Sequence, residues 1–152
     1  MIRHSCCVTG HREIAGEKLE QVKERLRAEV EKAIEDDFFL FYSGFAEGID
    51  HIFAGIVAEQ KKKNKKLRLF AMLPHPDRER ELNTNEESRK LLAACDCVKV
   101  HSPDFKDDSN KIYMAEECYR CIAVYDGRPE GETAGVMEHA RELERDLRIV
   151  AI

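Results

Sequence analysis

The 152-residue chain contains no tryptophan, only 7% aromatic residues and no excess of positive charge. Its formal net charge is −5, whereas nucleic-acid binders commonly present a basic face that attracts the phosphate backbone. Single-stranded nucleic acid is usually bound in a basic groove with aromatic platforms for the bases. Both deficits disfavour nucleic acid as a partner, but a local basic pocket is still compatible with this composition.

Long apolar runs are also missing, because no stretch approaches the roughly 20 residues that a membrane-spanning helix needs. A secretory signal peptide requires an apolar core near the N-terminus, and His4 and Gly10 interrupt any such core here. We therefore expect a cytoplasmic protein without a membrane partner.

The chain contains six cysteines, which could form disulfides or bind zinc. Disulfides are rare in the cytoplasm, so free thiols are favoured. Cys95-x-Cys97 and Cys118-x-x-Cys121 resemble zinc-ligand spacings, but Cys97 and Cys121 fall inside predicted strands. Because free cysteine is a common small core residue, we expect these side chains to pack in the core and expect no metal site.

Strand-like and helix-like segments alternate along the whole chain, without an internal repeat or a linker. Apolar runs predict six strands, and apolar spacings of three and four predict five helices. The predicted strands are 5–9, 38–42, 67–73, 97–100, 121–125 and 148–152, and the predicted helices are 17–36, 48–60, 78–94, 112–118 and 133–145. This order predicts one α/β domain over 1–152, a three-layer Rossmann-like fold with a mostly parallel sheet of about six strands.

Three glycine-bearing polar loops follow predicted strands, at 9–12, 43–50 and 126–135. Ligands of such sheets bind outside the carboxyl ends of the strands, near the point where the strand order reverses. We therefore expect the three loops to converge on one site. His75 and His101 end two further strands at the same edge and are additional candidates.

The segment 43–50, SGFAEGID, is the most informative of these loops. Gly44 and Gly48 would let backbone amides approach a ligand, and the N-terminus of the following helix would attract an anion. The dinucleotide fingerprint G-x-G-x-x-G is absent, and a plain strand-to-helix turn also favours glycine and serine. Asp50 has two open interpretations, a pocket contact or a favourable charge in the first helical turn.

Four stretches carry a family resemblance: VTGHR at 8–12, YSGFAEGID at 42–50, and IAVYDG at 122–127 followed by EGET at 130–133. They resemble the YpsA-like family of the SLOG superfamily, which is related to the DprA and LOG proteins. The resemblance implies a Rossmann-like fold that binds a nucleotide or nucleotide-derived ligand, with a regulatory role in bacteria. The matching residues are Thr9, Gly10, His11 and Arg12, then Ser43, Gly44, Ala46, Gly48 and Asp50, and finally Gly131 and Thr133.

Two positions depart from the family pattern. Glu132 stands where the family's late loop has its second glycine, and Asn110-Lys111 stands where members tend to carry an Arg-Asn pair. A carboxylate beside a phosphate loop would suit a less anionic ligand, or one that binds through a cation, better than the family's usual one.

The resemblance and the residues together lead to one main expectation, the binding or sensing of a nucleotide-like small molecule. Backbone amides would hold the phosphate with help from hydroxyl groups, an arginine would bind phosphate oxygens in a bidentate manner, and a carboxylate would accept from the ribose. The amides are expected from Gly10, Gly44 and Gly131, and the hydroxyl groups from Ser43 and Thr133. The arginine is Arg12, and the carboxylate is that of Asp50 or Glu47.

Three alternatives stay open beside it. LOG-like proteins cleave the N-glycosidic bond of nucleoside 5′-monophosphates with a glutamate three residues after the loop threonine, and Val136 occupies that place here. Glu47, Asp50 or Glu132 would have to substitute, so no catalytic residue is assigned. The DprA kinship raises single-stranded DNA binding, which the charge disfavours. Homodimerisation is also open, since related folds often form dimers and Phe105 is an apolar surface candidate.

Overall fold

The apolar runs form a sheet of six parallel strands in the computed structural model, which describes residues 1–152. The strands are β1 (Ile2–Gly10), β2 (Leu40–Ser43), β3 (Arg68–Leu73), β4 (Cys97–Val100), β5 (Cys118–Tyr125) and β6 (Asp146–Ala151). The helices are α1 (Leu19–Glu35), α2 (Ile49–Lys63), α3 (Pro76–Asn83), α4 (Glu86–Ala93), α5 (Asp107–Glu117) and α6 (Glu132–Glu142). Each consecutive pair of strands is joined through helix, as parallel pairing requires.

Helices cover both faces of the sheet, and the alternation of side chains along β1 shows the two cores. Cys6 and Val8 belong to the larger core, which also holds apolar residues of α1 and α2. Cys7 points the other way, into a smaller cluster with Met114 of α5. The α6 helix packs beside α5. The prediction of a three-layer Rossmann-like α/β fold is confirmed.

The strands lie in the order β4-β3-β2-β1-β5-β6, so the chain adds strands on one side of β1 up to β4 and then on its other side from β5. The chain moves outward from β1 to β4, and α5 then carries it back across the sheet to β5. The loops that follow β1 and β5 therefore diverge to opposite faces and leave a crevice between them. Any ligand site of this fold is expected at that crevice.

Two helical predictions differ from the structure. The helix predicted over 78–94 is two helices, because the Asn85 side chain accepts a hydrogen bond of 3.0 Å from the Ser88 amide and caps a new start. The α5 helix begins at Asp107, five residues earlier than predicted. Asp107 and Asp108 lie in its first turn, where negative charge is favourable, so this polar stretch is a helix start as well as a loop.

The cysteines are all free, and their burial differs. Cys118 and Cys121 are buried, as expected, in the cluster beneath α5. Cys97 is exposed, so its predicted core position is wrong. It lies on β4, an edge strand that no helix covers fully, and alternation there does not bury either face.

Exposed apolar side chains are few and lie partly on the sheet edges. Val98 of β4 and Ile149 of β6 are 37% and 44% exposed. Phe105, expected to be exposed, is half-buried and stacks on His101 with ring centroids 4.0 Å apart. None of the helices combines the length and the apolar character needed to cross a membrane.

Candidate functional site

A cavity of about 180 Å³ opens at the crevice between β1 and β5. Its walls contain no apolar side chain and come from the loop after β1 and from the segment that leads into α6. The lining residues are Gly10, His11, Arg12, Arg128, Glu130, Gly131, Glu132 and Thr133. The structure thus brings together six of the residues that the sequence analysis assigned to the site, three from its first motif and three from its last.

The N-terminus of α6 forms one wall of this cavity. Gly131, with a φ of 112°, precedes the helix and provides no side chain to cap it. A side chain at this position would meet no atom within 4 Å, so the backbone is open on that side. The first amides of a helix lack intrahelical partners and carry partial positive charge. This wall therefore attracts an anionic group, against the carboxylates of Glu130 and Glu132, which also line the cavity.

His11 joins the two loops across the cavity. Its Nε2 accepts a hydrogen bond of 3.2 Å from the backbone amide of Asp126, which follows β5. Desolvation by burial lowers the pKa of His11. The nearby Asp126 carboxylate raises it and the Arg128 guanidinium lowers it, and the net result is a lowered pKa. The neutral imidazole that accepts this bond is thus the favoured form, and His11 acts as a clamp between the loops.

The 43–50 turn packs directly behind this loop instead of lining the cavity. A Cβ on Gly10 would lie 2.7 Å from the Ile49 side chain, and a Cβ on Gly48 would lie 2.8 Å from the His11 carbonyl oxygen. Gly44 similarly faces Asn110, whose Nδ2 would be 3.0 Å away. These three glycines allow protein segments to approach each other closely.

Polar groups of the turn are bonded within the protein. The Ser43 hydroxyl donates to the Asp50 carbonyl oxygen at 3.1 Å and accepts from the Phe45 amide at 3.2 Å. The Asp50 carboxylate accepts from the Ala46 amide at 3.0 Å and pairs with the ammonium of Lys111. The predicted site residues that do not line the cavity are Thr9, Ser43, Gly44, Ala46, Glu47, Gly48 and Asp50.

Sequence reasoning missed the charged side chains beside the cavity, namely Arg78 and Asp107. Arg78 is 7% exposed and donates to the Gly44 carbonyl oxygen at 2.9 Å and to the Asp107 carboxylate at 2.8 Å. Arg12 pairs with the same carboxylate, and His75 lies 3.5 Å from it. A signal for Arg78 did exist, because a cation in the first turn of α3 opposes the helix dipole and needs another partner.

Two carboxyl groups of this region have pKa values that move in opposite directions. Desolvation would raise the pKa of Asp107, but its bond to Arg12 and the charges of Arg78 and His75 outweigh burial and lower it. Desolvation raises the pKa of Glu132. The negative charges of Asp108 and Asp50 raise it further, whereas the positive charges of Lys111 and Arg12 lower it without cancelling the increase. A carboxyl group with a raised pKa in a cavity wall is a candidate proton donor.

Buried polar groups without a partner are concentrated at the same edge. Four of six such side-chain atoms in the chain lie at the end of β1, just after β4 or in the first turn of α5. They are Thr9 Oγ1, His101 Nε2, Asp107 Oδ1 and Asn110 Oδ1, whereas the other two are Glu29 Oε2 and Arg120 Nη1. Buried polar atoms are normally satisfied, so this edge has unused capacity to bind polar groups. No group of three or more His, Cys, Asp and Glu side chains is placed to hold a metal ion.

Comparison with known families gives one match. The model of the YpsA family, described as the YspA SLOG family, matches residues 6–152 and so covers nearly the whole chain. No curated protein matches the chain.

Proposed function

Because this chain belongs to the YpsA family of SLOG proteins, we propose that it binds a nucleotide or nucleotide-derived small molecule between β1 and β5 and acts as a sensor or regulatory module. The strongest support is the polar cavity at the point where the strand order reverses. The open N-terminus of α6 and the cluster of unpartnered polar groups at the same edge support it further.

The size of the cavity limits how much of a nucleotide it can enclose. At about 180 Å³ it is smaller than the roughly 300–1,000 Å³ typical of small-molecule pockets. We place the phosphate at the α6 amides and Arg12, with Thr133 donating its hydroxyl, and the base towards solvent. The ribose is placed beside Glu132, because the Asp50 carboxylate is already paired with Lys111.

Arg12→Ala is expected to weaken ligand binding by about 10- to 100-fold, the loss of one or two charge-assisted hydrogen bonds to phosphate. The measurement is a thermal-shift screen of AMP, ADP, ADP-ribose and nucleotide sugars, followed by calorimetric titration of any compound that stabilises the wild type. Arg27→Ala is the control, because the Arg27 side chain is accessible to a similar extent (42% against 48% for Arg12) and makes a single long ion pair, to Glu59 at 3.7 Å. The proposal fails if none of the compounds stabilises the wild type, or if both variants bind equally well.

The position of Glu132 in the cavity wall, together with its raised pKa, favours a second candidate, hydrolysis of an N-glycosidic bond. The bond between C1′ of the sugar and the base nitrogen would break as a water oxygen bonds to C1′, and Glu132 would give its proton to the departing base and recover one from that water. Incubation with AMP should then release free adenine, detectable by chromatography, and Glu132→Gln should abolish this release. Glu138→Gln, a change on the exposed side of α6, should not affect it. Binding without release of the base would leave the sensor as the function.

A further inference from the structure

Three side chains from two separate segments converge on the carboxylate of Asp107. Arg12 comes from the loop after β1, whereas His75 and Arg78 come from the N-cap and the first turn of α3. Oδ2 of Asp107 accepts from both guanidinium groups, at 2.8 Å from Arg78. His75 Nε2 lies 3.5 Å from Oδ1. Such convergence of donors on one group is typical of an oxyanion site.

The carboxylate fills this site incompletely. Both guanidinium groups share one oxygen, whereas Oδ1 is buried and has no hydrogen-bond partner. His75 Nδ1 accepts from the Arg78 amide at 3.3 Å, so the proton of a neutral ring lies on Nε2, which faces Asp107. The Nε2–H of His75 thus makes no hydrogen bond while Oδ1 is left without a donor, so the carboxylate does not match the arrangement of donors around it. A phosphate group has more acceptor oxygens and a tetrahedral shape, and arginine binds it in a bidentate manner.

We propose that Arg12, Arg78 and His75 form a phosphate subsite and that Asp107 is an internal anion which competes with the ligand for it. The proposal rests on the proposed function and adds a second phosphate subsite beside the cavity, because Arg78 and His75 do not line the cavity themselves. Arg12 is the shared element, because it lines the β1–β5 cavity and also pairs with Asp107. A phosphate that binds Arg12, Arg78 and His75 together must displace the Asp107 carboxylate from these donors, whereas an uncharged compound need not.

The competition is tested with inorganic phosphate and pyrophosphate, which contain no nucleoside. Titrations are followed by NMR on the side-chain N–H signals of Arg12 and Arg78. Asp107→Asn keeps an oxygen that can accept from Arg78 but removes the competing charge, and we expect it to bind both anions about tenfold more tightly than the wild type. Asp108→Asn is the matched control, since it removes the same charge one residue away, where no ion pair to either arginine exists. Because the Asp108 charge also acts on Glu132 in the cavity wall, this control measures the removal of a nearby charge alone, and it should tighten binding by no more than about two- to threefold.

Further measurements separate this inference from the proposed function. Thermal unfolding establishes that both variants are folded. If Asp107→Asn binds phosphate no more tightly than the wild type, or if Asp108→Asn gains as much, Asp107 is not a competitor and the inference is overturned. Among nucleosides and nucleotides, Asp107→Asn should increase the affinity for AMP and leave the affinity for adenosine unchanged. Tighter phosphate binding with no binding of any nucleotide would contradict the proposed function alone.

Discussion

Replacing Lys111 by methionine is expected to lower the free energy of unfolding by about 3–5 kcal/mol, the usual effect of breaking a buried ion pair. Lys111 of α5 and Asp50 of α2 are 6% and 1% exposed, and the ammonium donates to the carboxylate. Methionine fills a similar volume but leaves the Asp50 charge with the Ala46 amide as its remaining hydrogen-bond partner. Chemical denaturation at neutral pH measures the loss.

The control is Lys90→Met, at an exposed lysine whose ion pair with Glu86 spans one helical turn. Such a pair contributes at most about 0.5 kcal/mol. The double variant Asp50→Asn with Lys111→Met should recover part of the stability, because it no longer buries an unpaired charge. A loss below about 1 kcal/mol in Lys111→Met would show that Asp50 finds another partner or water, and the pair would then not fix the turn.

This ion pair also explains one departure from the family pattern. Lys111 stands in the stretch where an Arg-Asn pair is usual, and its neighbour Asn110 donates to the Met72 carbonyl oxygen at 2.8 Å. Both side chains are thus bound to the sheet and to the 43–50 turn. The interpretation of Asp50 as a simple first-turn charge was incomplete, because its partner comes from a helix 61 residues further along the chain.

Much of the fold could be predicted from the sequence because burial on both faces produces continuous apolar runs, as in β3 and β5. The last strand and the edge strand β4 were also predicted from their apolar residues, although neither of them is buried on both faces. Two features were not predicted. The break between α3 and α4 depends on one asparagine cap, and the exposure of Cys97 depends on β4 being an edge strand. Local periodicity contains neither kind of information.

The candidate site was predictable only in part. Parallel strands bring their carboxyl ends to one edge, so TGHR and the 131–133 segment could be assigned to one cavity. Which glycine faces a ligand and which faces another loop depends on distances between segments. Arg78 and Asp107 are 29 residues apart, and Arg12 and Asp107 are 95 apart, so no spacing rule connects them.

Gly48→Ala is expected to destabilise the protein by about 2–4 kcal/mol and to displace the Arg12 loop. Gly48 has a φ of 82°, which L side chains rarely adopt, and its added methyl group would lie 2.8 Å from the His11 carbonyl oxygen and closer still to that of Arg12. The obstructing atoms are backbone, so the clash is relieved only if the two loops separate. Because His11 and Arg12 line the cavity, ligand affinity should fall together with stability.

Gly55→Ala provides the matched control inside α2, the helix that Gly48 precedes. Gly55 lies inside α2, where an added methyl group meets no atom within 4 Å and alanine is favoured over glycine by about 1 kcal/mol. This variant should be as stable as the wild type or more so, with unchanged binding. Denaturation and titration of both variants compare the effect of a methyl group just before α2 with that of one inside it. Equal effects would mean that the loss arises from α2 itself, whereas a loss confined to Gly48→Ala would mean that loop contact positions Arg12.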